Sequence, residues 1–164
     1  MTIAVTSASG QLGAEIIRAL QAQGETVVGL ARTPEKTKGL NIEIRPGDYA
    51  DPVQLEVSLE GIDRVVLVSG NGEPAARIDL HLNVITAARA AGVKRIVYTS
   101  VQGAEIGTAF SPIVDSNRQT EADLRASGMD RVIGRNGIHI EPDVEYIDSY
   151  REIGESANGT GDGR

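Results

Sequence analysis

Six short apolar runs alternate with segments of helical period along the first 133 residues. Thr2–Thr6 (TIAVT), Thr26–Ala31 (TVVGLA), Ile42–Arg45 (IEIR), Arg64–Val68 (RVVLV) and Arg95–Thr99 (RIVYT) read as strands, and Arg131–Ile133 (RVI) begins a sixth. Between them Leu12, Ile16 and Leu20 recur every fourth residue, with Gly24 as a helix stop. Thr33-Pro34 opens a short helix. Asp51-Pro52-Val53-Gln54 supplies a capping Asp, a Pro at the first helical position and a Gln that reaches back, with Leu55 and Leu59 following. Residues 75–91 form a longer helix with Ile78, Leu82 and Ile85 on one face and Gly92 as its stop. Residues 114–126 form another, ending at Gly128. Strand–helix alternation of this kind demands right-handed βαβ crossovers. The expected fold is α/β, a doubly wound parallel sheet of about six strands with flanking helices.

Composition excludes several function classes. The chain has 164 residues and no cysteine, so it has no disulfide framework, no thiolate metal site and no cysteine nucleophile. Two His are too few for a His-rich metal site. A net charge of −7 and 3% aromatic residues argue against nucleic acid as the principal partner. The acidity is concentrated late: residues 101–164 hold 12 acidic against 6 basic side chains. No apolar run reaches the roughly 20 residues that cross a bilayer, and the first ten residues lack the pattern of a signal peptide, so a cytoplasmic location is expected. After about Pro142 the alternation fades into an acidic stretch and the Gly-rich SANGTGDGR at 156–164.

The first strand runs directly into Thr6-Ser7-Ala8-Ser9-Gly10-Gln11-Leu12-Gly13, and a helix follows. A Rossmann-like dinucleotide site needs this arrangement. Gly10 lets the backbone approach a diphosphate and Gly13 lets the helix pack closely on the strand. The helix N-terminus offers free N–H groups to the anion. Hydroxyls on Thr6, Ser7 and Ser9 add possible donors. A plain β–α turn would look similar, but the placement at the start of the chain between strand and helix favours the nucleotide. The second strand ends in Gly29-Leu30-Ala31-Arg32-Thr33, with no acid to bind a ribose 2′-hydroxyl. Arg32 suits a 2′-phosphate instead, so NADP(H) is expected in preference to NAD(H).

TSASGQLG at 6–13, RPGDYAD at 45–51, NVITAARAAGVKRIVYTS at 83–100 and RNGIHIEPD at 135–143 together resemble the NmrA-like family of atypical short-chain dehydrogenases. Within it they are similar to the type 2 NAD(P)H-dependent quinone oxidoreductases. The resemblance implies an NADPH-binding Rossmann fold. It places the phosphate loop on Thr6 to Gly13, the 2′-phosphate contact on Arg32 and adenine-side contacts on Asp48 and Tyr49. Ser69, Gly70 and Asn71 would line the middle of the cofactor, Thr99 and Ser100 the nicotinamide ribose, and Asn136 and Gly137 the nicotinamide and substrate. Ser7 stands where the family has its first glycine, which matters if that position needs a positive φ. Family members also run on for roughly a hundred residues more. Residues 1–140 are therefore expected to form the NAD(P)-binding domain, and 141–164 the start of a missing or incomplete C-terminal substrate region.

The Tyr-x-x-x-Lys pair of many short-chain dehydrogenases is absent: none of Tyr49, Tyr98, Tyr146 and Tyr150 has Lys four residues on. Tyr98 falls inside a strand and His81 inside a helix, where packing roles are expected. Quinone reduction needs less acid–base machinery, because the acceptor takes hydride readily and the protein mainly aligns two rings. Asn136 and His139 are the candidate catalytic residues, the first to bond a quinone oxygen and the second to supply a proton. The expected function is an NADPH-binding oxidoreductase passing hydride to a quinone or similar small electrophile. A non-catalytic NAD(P)-sensing regulator acting through protein partners is the alternative. Self-association is also compatible with the sequence.

Overall fold

The computed structural model describes residues 1–37, 39–70, 72–103 and 111–137. Six parallel strands form one sheet: β1 (Thr2–Val5), β2 (Thr26–Ala31), β3 (Glu43–Pro46), β4 (Arg64–Leu67), β5 (Arg95–Val101) and β6 (Asp130–Asn136). Helices α1 (Gln11–Ala22), α2 (Pro52–Ser58), α3 (Pro74–Ala90) and α4 (Ser111–Ala126) connect them, and a 3-10 turn spans Pro34–Thr37 between β2 and β3. Strand order is β3-β2-β1-β4-β5-β6, the order expected of a Rossmann-like sheet. Register is continuous across the switch point, with Val5 opposite Gly29 on one side and Val66 on the other.

The two faces carry separate cores. Against α2, α3 and α4, Val28, Leu30, Val65, Leu67, Ile96 and Tyr98 pack on Leu55, Leu59, Val84, Ile85 and Leu124. Against α1, Ile3, Val5 and Ala31 pack on Ile17, with Leu12, Ile16 and Leu20 partly buried at its flanks. The apolar face of α1 is thus centred on Gly13 and Ile17, rotated from the expected Leu12–Ile16–Leu20 line. Asp51 caps α2 as its sequence demands, its carboxylate accepting from Gln54 N–H at 2.9 Å.

One expected face is rotated: Ile85 is buried and Ile78 half-buried as expected, but Leu82 is not. Leu82 of α3 is 42% exposed, and the buried stripe runs through Arg77, His81, Val84, Ile85 and Ala88. Two polar residues in that stripe disguise it. β6 also continues to Asn136, beyond the short RVI run, because every residue from Asp130 to Asn136 pairs with β5. Among the described residues no helix is long and apolar enough to cross a membrane.

Candidate active site

The turn from β1 into α1 is tight. Ser7 adopts φ +53°, the Gly10 N–H donates to the Ser7 carbonyl at 2.9 Å, and the Ala8 N–H ties the turn to the Leu30 carbonyl at 2.9 Å. A Cβ on Gly13 would lie 2.3 Å from the Ser7 carbonyl oxygen, so only glycine lets α1 pass this close beneath the turn. The helix opens at Gly10 with no side-chain cap, and its first hydrogen bond runs from Ala14 N–H to the Gly10 carbonyl. The N–H groups of Gln11, Leu12 and Gly13 are left for an anion, at the positive end of the helix dipole.

Tyr49 holds this turn from below. Its single hydroxyl proton goes to the Val68 carbonyl at 2.8 Å. The phenol oxygen therefore accepts from the hydroxyls of Thr6 and Ser7, the latter at 3.1 Å. Thr6 Oγ1 in turn accepts from Val68 N–H at 3.0 Å, and Asn83 Nδ2 fixes the Tyr49 carbonyl at 3.0 Å. The ends of β1 and β4 are thereby locked together. Burial pushes the Tyr49 phenol up to about 12, so it stays a neutral strut. The phenol faces the loop from inside. The Thr6 hydroxyl is likewise engaged inside the protein, by Tyr49 and Val68.

The segment after β4 is fixed by buried polar groups that the sequence does not advertise. Gly70 N–H donates to His81 Nε2 at 3.1 Å. The Thr120 hydroxyl donates to the Ser116 carbonyl, so it accepts from His81 Nδ1–H at 3.0 Å. His81 is thus the neutral Nδ1–H tautomer. Burial, with a contribution from the Arg77 charge, lowers its pKa from 6.5 to about 4. Tyr98 Oη donates to Asn117 Oδ1 at 2.5 Å, and Ser69 N–H donates to Thr99 Oγ1 at 2.9 Å. Burial also raises the Tyr98 pKa, so this phenol does not titrate near neutrality.

The far wall is held by Glu121. Its carboxylate is fully buried and accepts from Ser100 Oγ at 2.7 Å, Arg118 at 2.8 Å, Arg125 at 3.1 Å and Arg135 at 2.6 Å. The Arg135 bond leads in holding its pKa down to about 2, against the opposing effect of burial. Arg118 also reaches the Val101 carbonyl at 3.0 Å. The tie fixes the ends of β5 and β6 and holds the Ser100 hydroxyl on Glu121 at the edge of the cleft.

Between these walls lies a cleft of about 690 Å³ at the carboxyl ends of β1, β4, β5 and β6. It brings together Ser7, Gly10, Gln11, Leu12, Gly13, Ser69, Gly70, Thr99, Ser100 and Asn136 of the expected residues. Ser9 is exposed beside it. Arg32 and Asp48 follow β2 and β3 on the other side of the phosphate loop, where Gly47 N–H binds the Ala31 carbonyl at 3.1 Å. Asn71 and His139 lie outside the described residues, as does everything assigned to 141–164. Arg77 and Asn117, not singled out as ligand contacts in the sequence, also line the cleft.

A family model for NAD(P)H-binding proteins matches residues 7–151. The chain belongs to the NAD(P)H-binding family. It is 35% identical to quinone oxidoreductase 2 of Escherichia coli over 99% of its own length and 57% of that protein's. The crystal structure of the E. coli enzyme complexed with NADPH superposes with a TM-score of 0.81 at 34% identity, covering 93% of this chain and 54% of that one. Citrobacter sp. triphenylmethane reductase complexed with NADP(H) gives 0.83 at 32% identity, covering 93% and 55%. The chain therefore spans about half the length of these relatives. These likenesses bear out the resemblance carried by the sequence motifs.

Proposed function

We propose that the chain binds NADPH in preference to NADH and serves hydride transfer to a quinone or similar small electrophile. The observation that carries this reading is the uncapped start of α1 opening on the cleft. Three N–H groups converge there, at a turn only Gly13 permits. A diphosphate fits that donor set in charge and geometry. The relatives crystallised with NADPH and NADP(H) support the same cofactor. Arg32, exposed just past β2, would take the 2′-phosphate, with Asp48 beside it on the adenosine side. Ser69, Gly70 and Asn71 would flank the middle of the molecule, Thr99 and Ser100 the nicotinamide ribose, and Asn136 with His139 its reacting end.

When bound, the nicotinamide supplies a hydride. The chain's own residues align and exclude. The Tyr49 and His81 struts hold the two walls at a fixed separation, which lowers the entropy of bringing two rings into contact. His81 is neutral with both nitrogens engaged, and Tyr98 is a buried donor to Asn117, so neither acts as an acid. Asn136 binds an acceptor oxygen and His139 or water supplies the proton.

The test mixes the chain with NADPH and 1,4-benzoquinone and follows nicotinamide absorbance. Protein-dependent oxidation, slowed at least tenfold by Arg32→Ala at low NADPH, is expected. NADPH binding with no oxidation would instead favour the NAD(P)-sensing regulator.

A further inference from the structure

Among the described residues Arg77 is a buried cation without a counter-charge. It is 8% exposed, and its Nε has no hydrogen-bond partner among them. None of the ion pairs among the described residues includes it. It lies in the first turns of α3, a 17-residue helix that opens with Glu73 as N-cap and no side-chain cap bond. The positive end of that helix dipole adds to the guanidinium charge rather than offsetting it. The neighbour one turn on, His81, is neutral and spends its nitrogens on Gly70 and Thr120. An isolated buried charge is strongly disfavoured unless something pairs with it. Arg77 also lines the cleft, on the wall with Ser69, Gly70 and Asn117.

We propose that Arg77 is an oxyanion-recognising residue of the cleft, pairing with a phosphate, carboxylate or sulfonate group of the molecule bound there. A planar guanidinium buried at a cavity wall suits bidentate recognition of a planar or tetrahedral oxyanion. That anion has two possible sources, the diphosphate of the cofactor or an acidic group on the second substrate. The inference rests on the cleft being the nucleotide and substrate site proposed above.

The test compares wild type with Arg77→Met, which keeps the stem and removes the charge, and with Arg77→Lys, which keeps the charge and removes the fork. Three probes are titrated by thermal shift at fixed ionic strength: NADPH, then 1,4-naphthoquinone-2-sulfonate and neutral 1,4-naphthoquinone in the presence of NADP⁺. If the source is the cofactor, both variants lose at least tenfold in NADPH affinity. If the source is the substrate, NADPH affinity holds, affinity for the sulfonate falls at least tenfold, and neutral quinone binding is unchanged. Arg77→Met without ligand is expected to melt no lower than wild type, because an unpaired buried charge is gone. Equal binding of all three probes by all three proteins would overturn the proposal. So would an Arg77→Met chain that fails to fold while Arg77→Lys binds every probe as wild type does, since the residue would then be purely structural. Failure of wild type to bind NADPH, with Arg77-dependent binding of the sulfonate retained, would overturn the cofactor reading and leave the anion site standing.

Discussion

Ser7 occupies a left-handed conformation that costs a non-glycine residue about 1–2 kcal/mol. Its hydroxyl recovers part of that through the Tyr49 phenol. Ser7→Ala keeps the backbone strain and loses the bond, whereas Ser7→Gly loses the bond and the strain together. Ser7→Gly is therefore expected to be the more stable of the two by about 1 kcal/mol in urea denaturation. Equal stability would show that the turn is unstrained. The sequence exposed this position because glycine was expected there. It hid His81, because a histidine mid-helix has no pattern of its own and only the fold brings Gly70 and Thr120 to its two nitrogens. The His81 pKa is lowered in the folded chain, from 6.5 to about 4, so the unfolded chain binds the extra proton between those values. Its contribution to stability is complete above pH 6.5 and is lost as pH falls through 4, by ~3 kcal/mol. His81→Gln should flatten that part of the stability–pH curve relative to wild type, and a parallel pair of curves would contradict the assignment.

At the scale of elements, strands were legible because buried parallel strands are near-continuous apolar runs, and β2 matches its expected span residue for residue. The helices were legible in position but less so in facing. α3 buries Arg77 and His81 and exposes Leu82, an inversion that hydrophobic periodicity cannot find. α4 looks from its sequence like a solvated face, with Arg118, Glu121 and Arg125 at helical spacing. Instead Glu121 is its anchor, joined by Arg135 from β6 and Ser100 from β5. Glu121→Ala should lower stability by about 3 kcal/mol and should speed amide exchange most in β6, residues 130–136. Uniform loss of protection across the sheet would argue against a local tie. The depressed Glu121 pKa makes its contribution complete above pH 4.5 and lost as pH falls toward 2.

At the scale of the whole molecule, the chain crosses the sheet between β3 and β4, so the loops after β1 and β4 diverge and leave the cleft between them. The order of glycine loop, missing acid and Arg32 was readable from the chain alone, because the proposed phosphate site is local in sequence. The struts beneath it were not, since Tyr49–Val68, His81–Thr120 and Glu121–Arg135 join separate elements. Gly13→Ala tests the packing directly: a Cβ 2.3 Å from the Ser7 carbonyl must displace the turn, and NADPH affinity should fall at least tenfold. The most direct measurement is a titration of the chain with NADPH and with NADH, followed by nicotinamide fluorescence and repeated with Arg32→Ala. Tighter binding of NADPH than NADH, falling to the NADH value in Arg32→Ala, is the result expected. Binding of neither nucleotide, or equal binding of both that Arg32→Ala leaves unchanged, would contradict the NADPH assignment.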